Sequence, residues 1–227
     1  KQTQRQRSVP KLRFPGFSDP WERRKLGELV EIGDIDHLMP KSVVAGIPYL
    51  MTGDFCGINS LNFDGVKMVS EDDYYQLSKK IKPEKGDIIF ARYASVGTAR
   101  YIDFTRKFLI SYSCAIIKMS SKINSKYLYH FITSNYAQRQ IRLEVNTGSQ
   151  ANIGIDSMKN NIIVSLPQPE EQTKIADTLS YFDSLITFRQ RKIDILKQYK
   201  LGVLTAILSG KIDLSNGSNF NWNSCHL

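Results

Sequence analysis

The hydrophobic pattern of the chain changes its period near residue 168. Beyond this point, apolar side chains recur at alternating steps of four and three residues. A repeat of 3.5 residues predicts a helix that supercoils against another helix through these positions. We call these ten positions the seam: Ile175, Leu179, Phe182, Ile186, Arg189, Ile193, Leu196, Lys200, Val203 and Ile207. Arg189 and Lys200 are its only polar members, and the other eight form the predicted dimer interface.

The seam helix has clear predicted limits. Pro167 and Pro169 disfavour helix before the seam, and Gly210 follows the last turn as a stop signal. Glu170 and Glu171 suit the positive end of the dipole of a solvent-facing helix, which we favour over a catalytic pair of carboxylates. At about 1.5 Å per residue, the roughly 40 residues span on the order of 60 Å. That length suits a spacer between two bodies.

Residues 1–167 carry mixed periods. Short apolar runs next to Gly or Pro predict strands, and spacings of three and four residues predict helices. The predicted strands are residues 88–91, 98–104, 108–119 and 162–166. The predicted helices are residues 21–30, a turn at 74–77, a helix capped by Asn124 that runs to residue 132, and residues 136–143. The predicted irregular segments are residues 1–20 and residues 33–65, the latter with edge strands.

Together these elements predict the α+β fold class. The first part, residues 1–167, is a mixed α/β globular domain. One long C-terminal coiled-coil helix follows over residues 168–211. The remaining residues, 212–227, are polar and predict a flexible tail.

Charge points to a polyanionic partner. The net charge is +9, and residues 92–142 hold nine Lys and Arg against one acid, Asp103. Such a local excess is an electrostatic footprint for nucleic acid or an anionic membrane. We favour nucleic acid because no basic amphipathic helix accompanies the charge.

The sequence lacks the features typical of membrane proteins, secreted proteins and enzymes. No apolar run is long enough to cross a membrane, and the polar, basic start of the chain does not resemble a signal peptide. Three Cys residues are too few for a disulfide framework, which favours reduced thiols and a cytoplasmic location. No phosphate-binding loop, metal box or nucleophile with its base is visible, so we expect no cofactor, no metal and no catalytic residue.

Polar side chains at strand ends and in loops are candidate DNA contacts. Arg92, Tyr93 and Ser95 follow a predicted strand, and a second polar loop covers residues 147–152. Arg can read guanine, Asn and Gln can read adenine, and hydroxyl groups can bind phosphate or base. The candidates from the second loop are Thr147, Ser149, Gln150 and Asn152, and the basic candidates are Arg100, Arg106, Lys107, Arg139 and Arg142.

Two other functions compete with a pure DNA-recognition role. One is a nuclease or methyltransferase fragment with its own recognition domain, but no methyltransferase N/D-P-P-Y/F motif is present. The other is a coiled-coil adaptor that binds no DNA, against which the basic segment argues.

The ordered set of motifs resembles the specificity subunits of type I restriction-modification systems. The matching segments are LRFPGF at residues 12–17, IPYL at 47–50, GDIIFAR at 86–92, TGSQANI at 147–153, and LP at 166–167 with EQ at 171–172 before the seam. The resemblance covers roughly residues 10–212. Each segment alone is weak evidence for the resemblance, whereas the occurrence of all of them in this order is strong evidence.

The resemblance implies a target recognition domain that reads a few base pairs of double-stranded DNA. It also implies an antiparallel coiled coil that spaces two such domains. Such a subunit has no catalytic activity and docks methyltransferase subunits, which use S-adenosylmethionine, and an ATP-dependent restriction subunit.

The layout departs from that of a typical subunit, which holds two recognition domains and two helices. This sequence holds one of each, and the seam offers a surface for a homodimer. A truncated product and a silent recombination cassette stay open as alternatives.

Overall fold

The computed structural model describes residues 10, 12–148 and 150–209, and the chain divides into one unit up to Tyr181 and a second from Phe182. The strands are Glu22–Lys25 (β1), Ile32–Gly33 (β2), Ile47–Leu50 (β3), Phe55–Cys56 (β4), Ser60–Leu61 (β5), Lys67–Val69 (β6), Ile88–Ala91 (β7), Ala99–Tyr101 (β8), Leu109–Ile110 (β9), Cys114–Ile117 (β10) and Ile163–Leu166 (β11). The helices are Leu26–Leu29 (α1), Glu71–Leu77 (α2), Ser125–Thr133 (α3), Asn135–Leu143 (α4), Ile155–Asn161 (α5) and Pro169–Leu208 (α6), with a 3-10 turn at Thr52–Asp54.

A four-stranded antiparallel sheet of order β2-β10-β7-β8 divides the first unit into two cores. Successive side chains of a strand point to opposite faces, so Ile88 and Phe90 enter one core while Ile89 enters the other. The side chains of β10 also alternate between the two cores. Both faces of the sheet are therefore buried, which explains why β7 and β10 are continuous apolar runs.

The second core is closed by a three-stranded sheet of order β6-β3-β9. The prediction of edge strands over residues 33–65 is wrong for β3, because β3 is fully buried between two neighbours. Pro48 is tolerated in β3 because it pairs only with Met68 of β6. The pairing of β3 with β9 begins one residue later, at Tyr49.

Two other sequence predictions are corrected. The predicted helix over residues 21–30 begins instead as β1, which pairs with β11, and only Leu26–Leu29 is helical. The single strand predicted over residues 108–119 is two strands in different sheets, separated by residues 111–113. Tertiary pairing overrides local propensity at both places. The short helix α5 has no counterpart among the predicted elements.

The predicted long helix is confirmed as α6, which has 40 residues. The N-cap prediction is also confirmed, since the Asn124 side chain accepts a hydrogen bond from the Tyr127 N–H. The predicted stop at Gly210 and the tail over 212–227 lie outside the described residues. In the part of the chain that the structure describes, no helix is long and apolar enough to cross a membrane.

The first turn of α6 is fixed to the rest of the first unit by a buried carboxylate. Glu171 is fully buried and accepts hydrogen bonds from Arg13 Nε at 2.9 Å, Arg13 Nη2 at 2.6 Å and Trp21 Nε1 at 2.9 Å. The prediction that both glutamates face solvent is therefore wrong for Glu171, although Glu170 is exposed. A charge buried this completely requires such partners.

Candidate nucleic-acid interface

Several strand ends meet at one edge of the central sheet. Strand β2 is followed by Asp34, strand β7 by Arg92, and β10 is preceded by Ser113. The Arg92 N–H donates to the Ser113 carbonyl at 2.9 Å, which fixes two of these ends side by side. The polar residues just beyond the strands are therefore gathered in one place.

A second loop, residues 144–153, joins this edge. Two hydrogen bonds connect it to Arg92: the Ile153 N–H donates to the Arg92 carbonyl at 3.1 Å, and Arg92 Nε donates to the Ile153 carbonyl at 3.1 Å. Tyr93 forms an isolated antiparallel bridge with Asn152. The structure thus brings together two loops that the sequence suggested separately as DNA contacts.

The turn after β7 is sharply folded. Ala94 has a φ of 57° and Gly97 a φ of 93°, both in the left-handed region. Gln138 of α4 donates to the Gly97 carbonyl at 2.9 Å, and a Cβ on Gly97 would lie 2.5 Å from Gln138 Oε1. The positive φ of Gly97 favours glycine at this turn, and Ser95 is exposed on it.

The other loop is closed by a pair of asparagines. Asn146 and Asn152 exchange backbone hydrogen bonds of 2.8 and 3.2 Å, and Asn152 Nδ2 donates to the Gln150 carbonyl at 3.0 Å. The side chains of Thr147 and Gln150 are exposed. Ser149, also a candidate, lies outside the described residues.

Arg92 does not fit the predicted role of a base-reading side chain. It is 7% exposed, and its guanidinium forms an ion pair with the buried Asp34. Arg92 Nε also donates to the Ile153 carbonyl, so both Nε and Nη1 bind groups within the protein. Its position indicates that it holds the two loops rather than contacting a base.

Arg100 likewise does not fit a phosphate-binding role. It is 8% exposed and donates to the carbonyls of Ser60 at 3.1 Å and Gly57 at 2.9 Å. Burial lowers the pKa of its guanidinium, and among the described residues it has no ion pair. The residue joins β8 to the β4–β5 hairpin.

The remaining basic candidates lie on the surface. Arg106 stacks over the Phe63 ring at 4.0 Å, and Lys107 is paired with Glu71. Arg139 and Arg142 are exposed on α4 and form no ion pair with any described residue. Elsewhere in the basic segment Lys118 binds Asp87 and Glu84, so part of the excess charge is neutralised by acids from other parts of the chain.

Sequence reasoning missed a polar cluster around Asp34. Burial favours the neutral form of this carboxyl, but a hydrogen bond from His37 and the charges of Arg92 and Lys80 outweigh it and lower the pKa. His37 Nε2 lies 2.9 Å from Asp34 Oδ2, and its ring stacks on Tyr112 at 4.9 Å. An acid directly after a buried strand, three residues before a histidine, was the available signal.

The exposed groups of this edge have the chemistry of hydrogen-bonding contacts. The edge presents phenol, hydroxyl and amide groups, which can donate and accept hydrogen bonds at base edges or phosphates. Within the described ranges, no group of three or more His, Cys, Asp or Glu side chains could hold a metal ion.

Comparison with known proteins identifies the protein family to which the chain belongs. Residues 18–198 match the family described as the type I restriction modification DNA specificity domain, and the chain belongs to this family. The match covers the first unit from residue 18 onward and most of α6.

The curated relatives are specificity subunits of type I restriction enzymes. The chain is 24% identical over 223 residues to the MjaVIII specificity subunit of Methanocaldococcus jannaschii, covering 92% of this chain and 50% of that protein. It is 25% identical to the MjaIX specificity subunit of the same organism, covering 80% of this chain and 42% of the relative. The chain thus spans about half the length of the curated relatives it matches.

Solved structures share the fold. The S subunit of a type I restriction-modification system from M. genitalium gives a TM-score of 0.63 at 19% identity, with 88% of this chain and 49% of that chain covered. The HsdS subunit from Thermoanaerobacter tengcongensis gives 0.54 at 17% identity, with 91% and 48% covered. The predicted α+β domain with a long C-terminal helix is therefore confirmed.

Proposed function

We propose that the chain is a non-catalytic DNA specificity subunit that reads one half of a bipartite target. The observation that carries this proposal is the family match over residues 18–198. The polar edge of the central sheet supports it, because the exposed groups there suit DNA contact.

The proposed contacts fall into two groups. Side chains of the two joined loops face the bases or adjacent phosphates, and exposed cations bind the backbone. The first group is Tyr93, Ser95, Thr147, Ser149, Gln150 and Asn152. The second group is Arg106, Lys107, Arg139 and Arg142.

The backbone contacts predict a strong dependence on salt. Replacing Arg139 and Arg142 with alanine should weaken binding to all duplex sequences alike and reduce the log–log salt slope by about two units, since each phosphate contact adds about 0.9. Titration of labelled duplex at several salt concentrations measures this. The matched control removes two exposed lysines outside the basic segment, Lys79 and Lys85, and should leave the slope almost unchanged.

We infer further that the chain works as an antiparallel homodimer through the seam. The seam is symmetric about residue 191, so an antiparallel partner in this register matches every position with another seam position. The pairs are Ile175 with Ile207, Leu179 with Val203, Phe182 with Lys200, Ile186 with Leu196, and Arg189 with Ile193. Such reciprocal pairing is what a two-fold interface requires.

Charge favours this orientation over a parallel one. A parallel dimer would place Arg189 against Arg189 and Lys200 against Lys200 inside the seam. The antiparallel dimer separates these charges and brings Asp183, beside the seam, opposite Lys197 of the second copy. The first half of α6 also carries four acids against one lysine, whereas the second half carries five bases against one acid.

A symmetric dimer should read a symmetric target. Mapping of methylated sites in cells that carry this chain and its modification subunit should give two inverted, identical half-sites separated by unspecified bases, centred about one DNA turn apart. An asymmetric motif would contradict the homodimer. Gln150→Ala should relax one half-site base and leave the gap unchanged.

The helix should set the gap between the half-sites. Deleting one heptad, residues 190–196, shortens α6 by roughly 10 Å while preserving the seam, which corresponds to about three base pairs. We expect the preferred gap to shrink by this amount with the half-sites unchanged. The same methylation mapping tests it.

A second apolar stripe on α6 suits the docking of methyltransferase and restriction subunits. Leu185, Phe188, Ile195 and Tyr199 lie outside the seam, on one flank of the helix, and are 40–62% exposed. The two-fold axis duplicates the stripe and so offers two equivalent sites. Exposed apolar stripes of this kind mark protein contacts.

Disrupting this stripe should separate docking from dimerisation. Phe188→Ser with Ile195→Ser should abolish methylation in cells and co-purification with the modification subunit, while the dimer mass stays constant. Leu201→Ser with Leu208→Ser makes an equivalent change on another face of α6 and should preserve both. Retained co-purification in the first variant would contradict the assignment.

A further inference from the structure

The connection between β2 and β3 exposes two adjacent apolar side chains at its tip. Leu38 is 53% exposed and Met39 is 56% exposed. The chain is buried on both sides of this exposed segment: Ile35 is 1% exposed and Pro40 is buried. Leu38 and Met39 therefore stand out from a segment whose ends are anchored.

The anchors hold the tip in a defined conformation. His37 binds Asp34 and stacks on the Tyr112 ring, and the Leu38 N–H donates to the Asp36 carbonyl at 2.8 Å. On the other side, Lys67 Nζ donates to the Pro40 carbonyl. A tip held at both ends loses little conformational entropy when it binds a partner.

The tip lies beside the proposed DNA-reading loops. Asp34, which precedes it, is ion-paired with Arg92, the first residue of the turn that carries Tyr93 and Ser95. Tyr112, which its histidine contacts, is next to Ser113, whose carbonyl accepts the Arg92 N–H. The apolar tip and the polar loops therefore belong to the same edge of the sheet.

The charges around the tip also favour a nucleic-acid partner. Lys41 is exposed on the connection, and Lys80 lies 3.4 Å from Asp34 with 62% of its side chain exposed. Asp34 is already paired with Arg92, which leaves Asp36 as the exposed acid of the tip. Because cations surround the exposed apolar side chains of the tip, the tip is better suited to insertion into DNA than to burial against an apolar protein surface.

We propose that Leu38 and Met39 form a wedge that inserts between neighbouring base pairs at or beside the half-site and kinks the duplex. The inference rests on the proposed DNA-reading function and adds how the domain recognises DNA. Leucine and methionine are among the side chains that proteins insert between base steps. Pyrimidine–purine steps unstack most easily, so the wedge selects such a step without hydrogen-bonding to its bases.

The test measures bending of a duplex that carries the mapped target and a fluorophore at each end. When the full chain binds with its modification subunit, the distance between the two ends of the duplex should become shorter, as measured by fluorescence energy transfer between the two fluorophores. Leu38→Ser with Met39→Ser should restore a straight duplex and weaken binding roughly tenfold, since a straight duplex touches less of the protein surface than a bent one. The two side chains are exposed, so folding is preserved. Val44→Ser, at a fully exposed apolar residue beyond the Pro40 anchor, should bend DNA like the wild type.

The outcomes separate the wedge from the broader proposal. A wild-type complex that binds the target without bending it, or a double variant that bends it fully, overturns the wedge and leaves DNA recognition intact. A double variant that loses the modification subunit while it bends DNA normally shows that the tip docks protein, which also overturns the wedge. Failure of the wild type to bind any duplex overturns both proposals.

Discussion

Leu179→Asp with Leu196→Asp will convert the proposed dimer into monomers. In the antiparallel register, the two substitutions face Val203 and Ile186 of the second copy, so each dimer would bury four carboxylates against apolar side chains. An unpaired charge buried in this way is strongly unfavourable, and the group instead remains in water. Sedimentation equilibrium at micromolar protein should show the mass of one chain, and binding to the bipartite target should fall to that of a single half-site.

A charge-matched control distinguishes the seam from a general effect of added acid. Gln198→Asp with Thr205→Asp places two carboxylates on the face of α6 opposite the seam and should leave the dimer intact. If the seam variant kept the dimer mass, the helix would have another partner and the homodimer proposal would be wrong. If both variants became monomeric, helix stability rather than the seam would be responsible.

The helix could be predicted from the sequence because its signal is local and repeated. The 3.5-residue period between Ile175 and Ile207 can be recognised without information about the rest of the chain, and the long helix that it predicts is confirmed as α6. The strand over residues 88–91 is equally clear from its apolar run between turn residues. By contrast, residues 22–25 favour no strand by composition and become one because β11 offers an edge to pair with.

The candidate site could be predicted less well, for a related reason. Residue type identifies the polar loops at Tyr93 and Asn152, but the contact between these loops depends on pairings between distant segments. Arg92 has the chemistry of a guanine reader, and Asp34, its buried partner, lies 58 residues earlier in the chain. Whether an arginine faces a base or a carboxylate is decided by such long-range contacts, which no spacing rule encodes.

The buried carboxylate at the start of α6 should be the most sensitive point of the first unit. Glu171→Ala leaves the guanidinium of Arg13, itself only 9% exposed in its side chain, and the Trp21 indole N–H without their acceptor. Losing one member of a buried ion pair is far more destabilising than losing a surface pair, because the remaining charge stays desolvated. We expect the thermal midpoint to fall by several degrees or more.

The neighbouring glutamate supplies the matched control. Glu170 lies in the same first turn but is exposed, so Glu170→Ala removes an equal charge and an equal helix-dipole interaction without touching the buried pair. Its midpoint should stay close to that of the wild type in thermal unfolding followed by circular dichroism. Glu171→Gln keeps the volume and one acceptor oxygen and should fall between the two. Equal losses in the two alanine variants would mean that the dipole, not the contacts to Arg13 and Trp21, accounts for the stability of this turn.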